Sequence, residues 1–214
     1  MSRFCVLLGG IVTVTARLRQ QISGCRSIAA DGGMAHAQPL GLAVELWVGD
    51  FDSSSPDLES RYRHVERQTF PAAKDRTDGD LAAKAAIARG ATSLVLVGAL
   101  GGQTDHAFAH LTLALRLSRS GCSTMLTSGT EEAHPLLPGR LALTLPIDSR
   151  LSLLPLTDLA GLSVGGTRWP LHGIDVELGS TLTLSNTVLG PVEISLASGY
   201  GIVIAYPVQE GEPA

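Results

Sequence analysis

Apolar positions along the chain change their rhythm near residues 130–140. Before that point, short hydrophobic runs alternate with stretches of helical period. FCVLLG (4–9) has the length and continuity of a buried strand, and the more polar stretch over 14–23 predicts a helix. SIAA (27–30) and ELWV (45–48) are further strand candidates, each ending directly on Asp or Gly-Asp. Residues 78–89 predict a helix with Leu81, Ala85 and Ala88 on one face, and LVLVGAL (94–100) predicts a strand. A second helix is expected over 105–119, with Phe108, Leu111 and Leu115 as its buried stripe, and STMLT (123–127) closes the series. Strands that alternate with helices imply an α/β fold: a mostly parallel, Rossmann-like sheet with helices on both faces.

After TEEAHPLLPG the helical period disappears. RLALTLP, RLSLLPL, LSVGG, TRWPLHG, STLTLSN, PVEISLA and YGIVIAYP are short, β-rich and punctuated by Gly, Pro, Asn or Asp at close intervals. That punctuation predicts a small all-β sandwich or barrel, with the sandwich expected. Two domains are therefore expected, an α/β domain over 1–134 and a β-sandwich over 135–214.

Composition supports folded domains and removes several function classes. With 44% hydrophobic and 17% charged residues the chain can bury a core, which argues against disorder. Its net charge of -4 and the absence of a basic run give nucleic acid no general attraction. The apolar N-terminal run is broken at Gly9-Gly10, well short of the roughly 20 residues a membrane span needs. Cys5, Cys25 and Cys122 are odd in number and widely spaced, as expected of reduced thiols in a cytoplasmic protein.

The candidate chemistry lies in the loops after the predicted strands, the edge where ligands bind in open parallel sheets. Gly9-Gly10 follows the first strand, Asp31-Gly32-Gly33 the second and Gly49-Asp50-Phe51-Asp52-Ser53 the third. KDRTDGD (74–80) precedes one helix, and GGQTDH (101–106) precedes the other. Each has a local reading: DGG suits a turn with positive φ, Thr77 with Asp80 resembles a capping box, and Asp105 is a good N-cap. His106 at a helix start fits either a ligand contact or a structural hydrogen bond.

Together they point further. Asp31, Asp50, Asp52, Asp75, Asp78, Asp80 and Asp105 on one rim would repel one another unless positive charge lay between them. Mg²⁺ accepts carboxylate and phosphate oxygens, Lys74 and Arg76 suit phosphates, and glycines let backbone N–H groups approach them. Lys74 is one of only two lysines in the chain, so its place in this cluster weighs against incidental surface charge. A Mg-nucleotide or Mg-polyphosphate site follows, without a GxxxxGK[ST], a GxGxxG after the first strand or an HExxH.

LLGG, ADGG, VGDFDSS, KDRTDGDLA and GALGGQTDHAFAHL, followed by a β-rich tail with RWPL and LSNTVLG, resemble the thiamine pyrophosphokinase family in order and over nearly the whole length. The resemblance implies an ATP-binding α/β domain, a β-sandwich and a homodimer binding thiamine at its interface. The implied reaction moves the pyrophosphoryl group of ATP to thiamine, giving AMP and thiamine diphosphate. It further implies that Asp50, Asp52, Asp75 and Asp78 form the Mg²⁺ and catalytic centre. ATP would be held by Asp31, Gly32, Gly33, Lys74, Arg76, Thr77, Gly101, Gly102, Asp105 and His106, and thiamine by Trp169, Ser185 and Asn186. Gln103 departs from the family pattern, in which Arg is usual. Two other readings fit parts of the chain: another Mg-dependent phosphoryl or nucleotidyl transferase, and a non-catalytic thiamine or nucleotide sensor. No nucleic-acid or membrane partner is expected.

Overall fold

The structure, a computed structural model, describes residues 2–51, 55–71 and 75–209. Its contacts divide the chain into an N-terminal unit ending at Gly129 and a C-terminal unit beginning at Thr130. Among the described residues no helix is long and apolar enough to cross a membrane.

In the N-terminal unit six strands pair in parallel: β1 (Ser2–Leu7), β2 (Arg26–Ala30), β3 (Val44–Gly49), β4 (Glu66–Thr69), β5 (Ala91–Val97) and β6 (Ser123–Thr127). Their spatial order is β6-β5-β1-β2-β3-β4, so the chain grows outward from β1 on one side and then returns to its other side. The four central strands carry near-continuous apolar runs whose last residues are fully buried, as sheets covered on both faces require. Cys5, Leu7, Ala29, Trp47, Val95 and Val97 share one cluster with Leu18 and Ile22 of helix α1 (Ala16–Ile22) and with Ala37 and Leu40 of the short helix α2 (Ala37–Leu40). Because side chains alternate along a strand, Phe4, Val6, Ile28, Leu46, Val48, Leu94 and Leu96 face the other way and are equally buried.

Helix α3 (Pro56–Arg61) and strand β4 lie in a stretch for which the hydrophobic pattern predicts neither. Every residue of β4 is exposed, so no apolar alternation marks it, and its ladder with β3 alone defines it. Helices α4 (Asp78–Ala88) and α5 (Thr104–Arg119) form as their sequences predict, but they bury different faces. In α4 the buried residues are Gly79, Ala82, Ala83 and Ala86, not Leu81, Ala85 and Ala88. Small residues let this helix approach the sheet closely: a Cβ on Gly79 would stand 3.0 Å from Leu8. In α5 the buried set is Leu113, Ala114, Leu115 and Leu117, so the expected stripe is met at Leu115, while Leu111 is half-buried and Phe108 is 55% exposed. Only the last turns of α5 pack as core, and its first turns border an open cleft.

The C-terminal unit contains β7 (Glu132–Leu136), β8 (Gly139–Leu143), β9 (Arg150–Pro155), β10 (Leu159–Thr167), β11 (Leu171–Val176), β12 (Asn186–Leu196) and β13 (Gly201–Tyr206). All of their pairings with one another are antiparallel. β12 changes partners along its length. Asn186 and Thr187 pair with β9 and Val192 to Leu196 with β8, while β10 pairs with Val188 and with Glu193 to Ser195. Gly190 and Pro191 occupy the change, where proline, lacking an N–H, interrupts a ladder least harmfully. Leu136, Leu151, Leu153, Leu162, Val188, Ile194 and Val203 form the centre of this unit's apolar core. Of STLTLSN (180–186), only Asn186 enters a strand, as the first residue of β12. Thr183 turns inward instead, its hydroxyl donating to Leu153 O at 2.6 Å, which leaves Leu182 65% exposed in a turn.

Candidate active site

A cleft of about 580 Å³ opens at the carboxyl ends of β1, β2 and β5, bordered by the first turns of α4 and α5. Backbone packing makes its floor glycine-dependent. A Cβ on Gly10 would lie 2.3 Å from Gly98 O, so the β1 and β5 ends touch through their main chains. His36 accompanies this contact, its Nε2 lying 2.9 Å from Gly10 O.

Asp31 begins a 3-10 turn over Asp31–His36 with φ of 43°, a left-handed conformation uncommon for a residue with a Cβ. Its main chain is held by Trp47, whose Nε1–H donates to Asp31 O at 2.8 Å. Trp47 is fully buried and stands edge-on to Phe51, centroids 5.0 Å apart. Phe51, with φ of 64°, turns back onto that core, leaving the preceding Asp50 half-buried just beyond the end of β3. A Cβ on Gly49 would meet Asp31 Cα at 3.3 Å, so the chain segments bearing Asp31 and Asp50 run side by side.

At the start of α4, Thr77 is the N-cap, its hydroxyl accepting from Asp80 N at 3.2 Å. Asp80 completes no reciprocal box. Its carboxylate instead accepts from Arg76 at 3.0 Å and from Arg116 at 2.7 Å, tying the start of α4 to the last turn of α5. Asp78 and Gly79 occupy the first turn, where the helix leaves its N–H groups without intrahelical partners and the macrodipole favours anions.

The loop before α5 has φ of 77° at Gly101 and 75° at Gly102, a successive left-handed pair that only glycine adopts without strain. Gln103, not Asp105, is the N-cap of α5, and it makes no side-chain capping bond. Asp105 is displaced into the first turn, where its Oδ1 accepts from His106 N at 2.9 Å. His110 stands one turn beyond His106, ring centroids 6.3 Å apart. Its Nδ1 lies 3.1 Å from Ala99 O, and because a carbonyl only accepts, the proton resides on Nδ1. Burial holds the imidazole below its usual pKa, against the smaller raising effect of the Ala99 carbonyl.

Asp31, Gly32, Thr77, Asp78, Gly101, Gly102 and His106 thus line one cleft, together with Gln103. Gly33, expected at ATP, is buried structure: a Cβ there would stand 2.2 Å from Leu7 O. Asp50, Asp75, Arg76 and Asp105 are not among the cleft-lining residues, and Arg76 is engaged by Asp80. Asp52 and Lys74 lie outside the described residues. Among the described residues no three His, Cys, Asp or Glu side chains gather as a preformed metal site. The cleft nonetheless offers hard carboxylate oxygens from Asp31 and Asp78, and Mg²⁺ is commonly bound by one or two carboxylates plus substrate phosphates. The residues present fit that ion. Gly79, Gly98 and His110 also line the cleft without having been singled out from sequence. For His110 the available signal was its spacing of four from His106 on one helix face.

A separate cavity of about 340 Å³ lies in the C-terminal unit, lined by Leu151, Leu153, Trp169, Leu171, Leu182 and Asn186 among others. Trp169 is 57% exposed, and Asn186 brackets its backbone. Ser185 does not line the cavity; it has φ of 59°, and its N–H donates to Ser152 Oγ at 3.0 Å.

Two sequence-family models match the chain: the thiamin pyrophosphokinase catalytic domain over residues 21–126 and the thiamin pyrophosphokinase vitamin B1 binding domain over residues 146–200. A thiamine pyrophosphokinase of Bacillus subtilis is 27% identical over 169 residues, spanning 76% of this chain and 78% of that protein. Among solved structures, the thiamine pyrophosphokinase of Bacillus subtilis superposes with a TM-score of 0.85 at 22% identity, covering 96% of this chain and 99% of that one. The thiamin pyrophosphokinase of Candida albicans gives 0.83 at 14% identity, covering 97% and 89%. These structural likenesses establish the fold, and the two domain matches, both to thiamin pyrophosphokinase, identify the family. The chain belongs to the thiamin pyrophosphokinase family.

Proposed function

We propose that the chain transfers the pyrophosphoryl group of ATP to the hydroxyethyl group of thiamine, releasing AMP and thiamine diphosphate. One observation carries this reading: each family match coincides with a cavity of suitable chemistry. The glycine-rich, carboxylate-bearing cleft is lined in part by residues of the catalytic-domain match, and every residue lining the Trp169 cavity lies within the vitamin B1 binding match.

On this reading residues 1–134 form a Rossmann-like ATP domain and 135–214 a β-sandwich that binds thiamine and dimerises. The parallel strand order supports the first assignment, and the two sets of strands that share β12 support the second. Exposed Trp169, Leu178, Leu182 and Leu189 suit a homodimer contact, and three free cysteines suit a reducing, cytoplasmic setting.

The reaction needs little covalent help from the protein. The hydroxyl oxygen of thiamine attacks the β-phosphorus in line and the bond to AMP breaks, so positioning and charge neutralisation carry most of the barrier reduction. Gly101-Gly102 and the first-turn amides of α4 approach the phosphates. A carboxylate of the acidic set takes the hydroxyl proton at one of its oxygens. Mg²⁺ would be held by carboxylates drawn from Asp50, Asp52, Asp75 and Asp78, with Asp31 added by its position, and when bound it neutralises phosphate charge. Gln103 supplies a neutral amide where the family pattern has a cation, so positive charge for the phosphates falls to Lys74 and to Arg76 once released from Asp80. Incubation with thiamine, ATP and Mg²⁺ tests the proposal: AMP and thiamine diphosphate are expected. ADP with thiamine monophosphate, or no turnover, overturns it.

A further inference from the structure

An indole that is more than half exposed on a turn should sample several positions, yet a flat binding wall must hold one. Trp169 lies between β10 and β11 and is followed by Pro170, with Arg168 5.9 Å from its ring centroid. That single loose contact with an exposed cation does little to fix the ring. The backbone is fixed much more firmly, and by one side chain. Asn186 Oδ1 accepts from Trp169 N at 3.1 Å and from Thr187 N at 2.9 Å. Its Nδ2 donates to Trp169 O at 2.8 Å and to Thr167 Oγ1 at 3.1 Å.

The orientation of this amide is dictated by its partners. A flipped amide would aim its NH₂ at two backbone N–H groups and its oxygen at a carbonyl, so only the arrangement described satisfies the network. An Asn side chain has two donors and two acceptor positions, and all four are in use. The amide therefore has no remaining capacity for a ligand, although hydrogen bonding to thiamine is the role its motif suggests. Its supports are rigid as well. Thr167 is 6% exposed and pairs with Val188 across the β10–β12 ladder, and Arg168 N donates to Thr187 O at 2.8 Å.

We propose that Asn186 is a positioning residue that clamps both the N–H and the C=O of Trp169, holding the indole as the aromatic wall of the C-terminal cavity. The remaining named walls, Leu151, Leu153, Leu171 and Leu182, are aliphatic, so the fixed indole supplies the flat face on which a planar cationic heterocycle stacks. This rests on the reading of that cavity as the thiamine site.

Labelling with 5-fluorotryptophan tests both levels, because the chain has two tryptophans and Trp169→Phe assigns their ¹⁹F resonances. Thiamine is expected to shift the Trp169 resonance and leave that of buried Trp47 unmoved. In Asn186→Ala the Trp169 resonance should move toward that of free fluorotryptophan and change in width, with Trp47 unchanged. Its KM for thiamine should rise about tenfold, while kcat and the KM for ATP stay within about twofold. Thr167→Val, which removes one of the four partners, should show the same pattern at smaller size, and it carries the test if Asn186→Ala does not fold. An unaltered Trp169 resonance in these variants overturns the clamp; if thiamine affinity falls at the same time, Asn186 contacts the ligand directly. Should thiamine leave the wild-type Trp169 resonance in place, the cavity is not the thiamine site, and the clamp is then judged by the Trp169 resonance of the variants alone.

Discussion

Asp78 combines two roles at one position, first-turn acid of α4 and carboxylate of the cleft. The two have very different magnitudes. Its favourable interaction with the helix macrodipole is about 0.3–1 kcal/mol, whereas a group acting on the reacting centre is worth about a hundredfold or more in rate. Asp78→Asn is therefore expected to lower kcat by at least about a hundredfold with little change in melting temperature. Near-normal turnover would show that Asp78 only starts a helix. Gly10 presents the opposite balance. Its Cβ would overlap Gly98 O, a backbone atom that cannot rotate away, so Gly10→Ala should cost about 1–3 kcal/mol in denaturant unfolding. Gly32 has open space at the same position and serves as the control, with stability changed by less than about 0.5 kcal/mol. Glycine clusters in a sequence do not distinguish these cases, because the clash lies with a strand nearly ninety positions away.

Helix α4 shows how an element can start correctly from sequence and still be misread. Its cap is local and follows from Thr77 and the three residues after it. The face it buries is not local, since alanine-rich helices have little contrast between faces and the sheet selects the side of closest approach. The same applies to Asp80, which resembles the second half of a capping box but binds Arg76 and Arg116. Its side chain is 14% exposed while both guanidinium groups are well solvated, so the pair of bonds should contribute on the order of 1 kcal/mol. Asp80→Ala is expected to lose about that much stability and also to reduce kcat, because the α4 start carrying Asp78 is no longer tied to α5. A stability loss with unchanged kcat would limit Asp80 to a surface ion pair. β4 and the stretch 180–185 fit the same account: one has no apolar alternation and is created by pairing, the other has the alternation but is held to β9 through Thr183 and Ser185, as a turn.

Stability of the whole molecule should carry a pH signature from the cleft. His110 is held below its ordinary pKa of 6.5 chiefly by burial, with Asp31, Asp78 and His106 as the other titratable groups lining the same space. Well above pH 6.5 the ring is neutral both folded and unfolded and contributes no pH dependence. Below it the unfolded chain takes up a proton that the folded chain refuses, so folding stability falls as the pH drops. Unfolding free energies compared at pH 7.5 and 5.5 should show a smaller decrease for His110→Gln than for the wild type; equal decreases would show that the ring titrates freely. Considered over its full length, the chain reveals its strand-helix alternation, its change to β structure near residue 130 and its family motifs in the sequence, because these depend on periodicity and on residue types close together. Tertiary structure alone decided which motif residues share a cleft. Asp31, Thr77, Asp78 and Gly101 meet there, Gly33 is withdrawn into backbone packing, Arg76 is turned to Asp80, and Asn186 is spent on Trp169. The reason is physical: capacity for a ligand is what remains after hydrogen bonds and close contacts within the protein are satisfied, and those partners lie far apart along the chain.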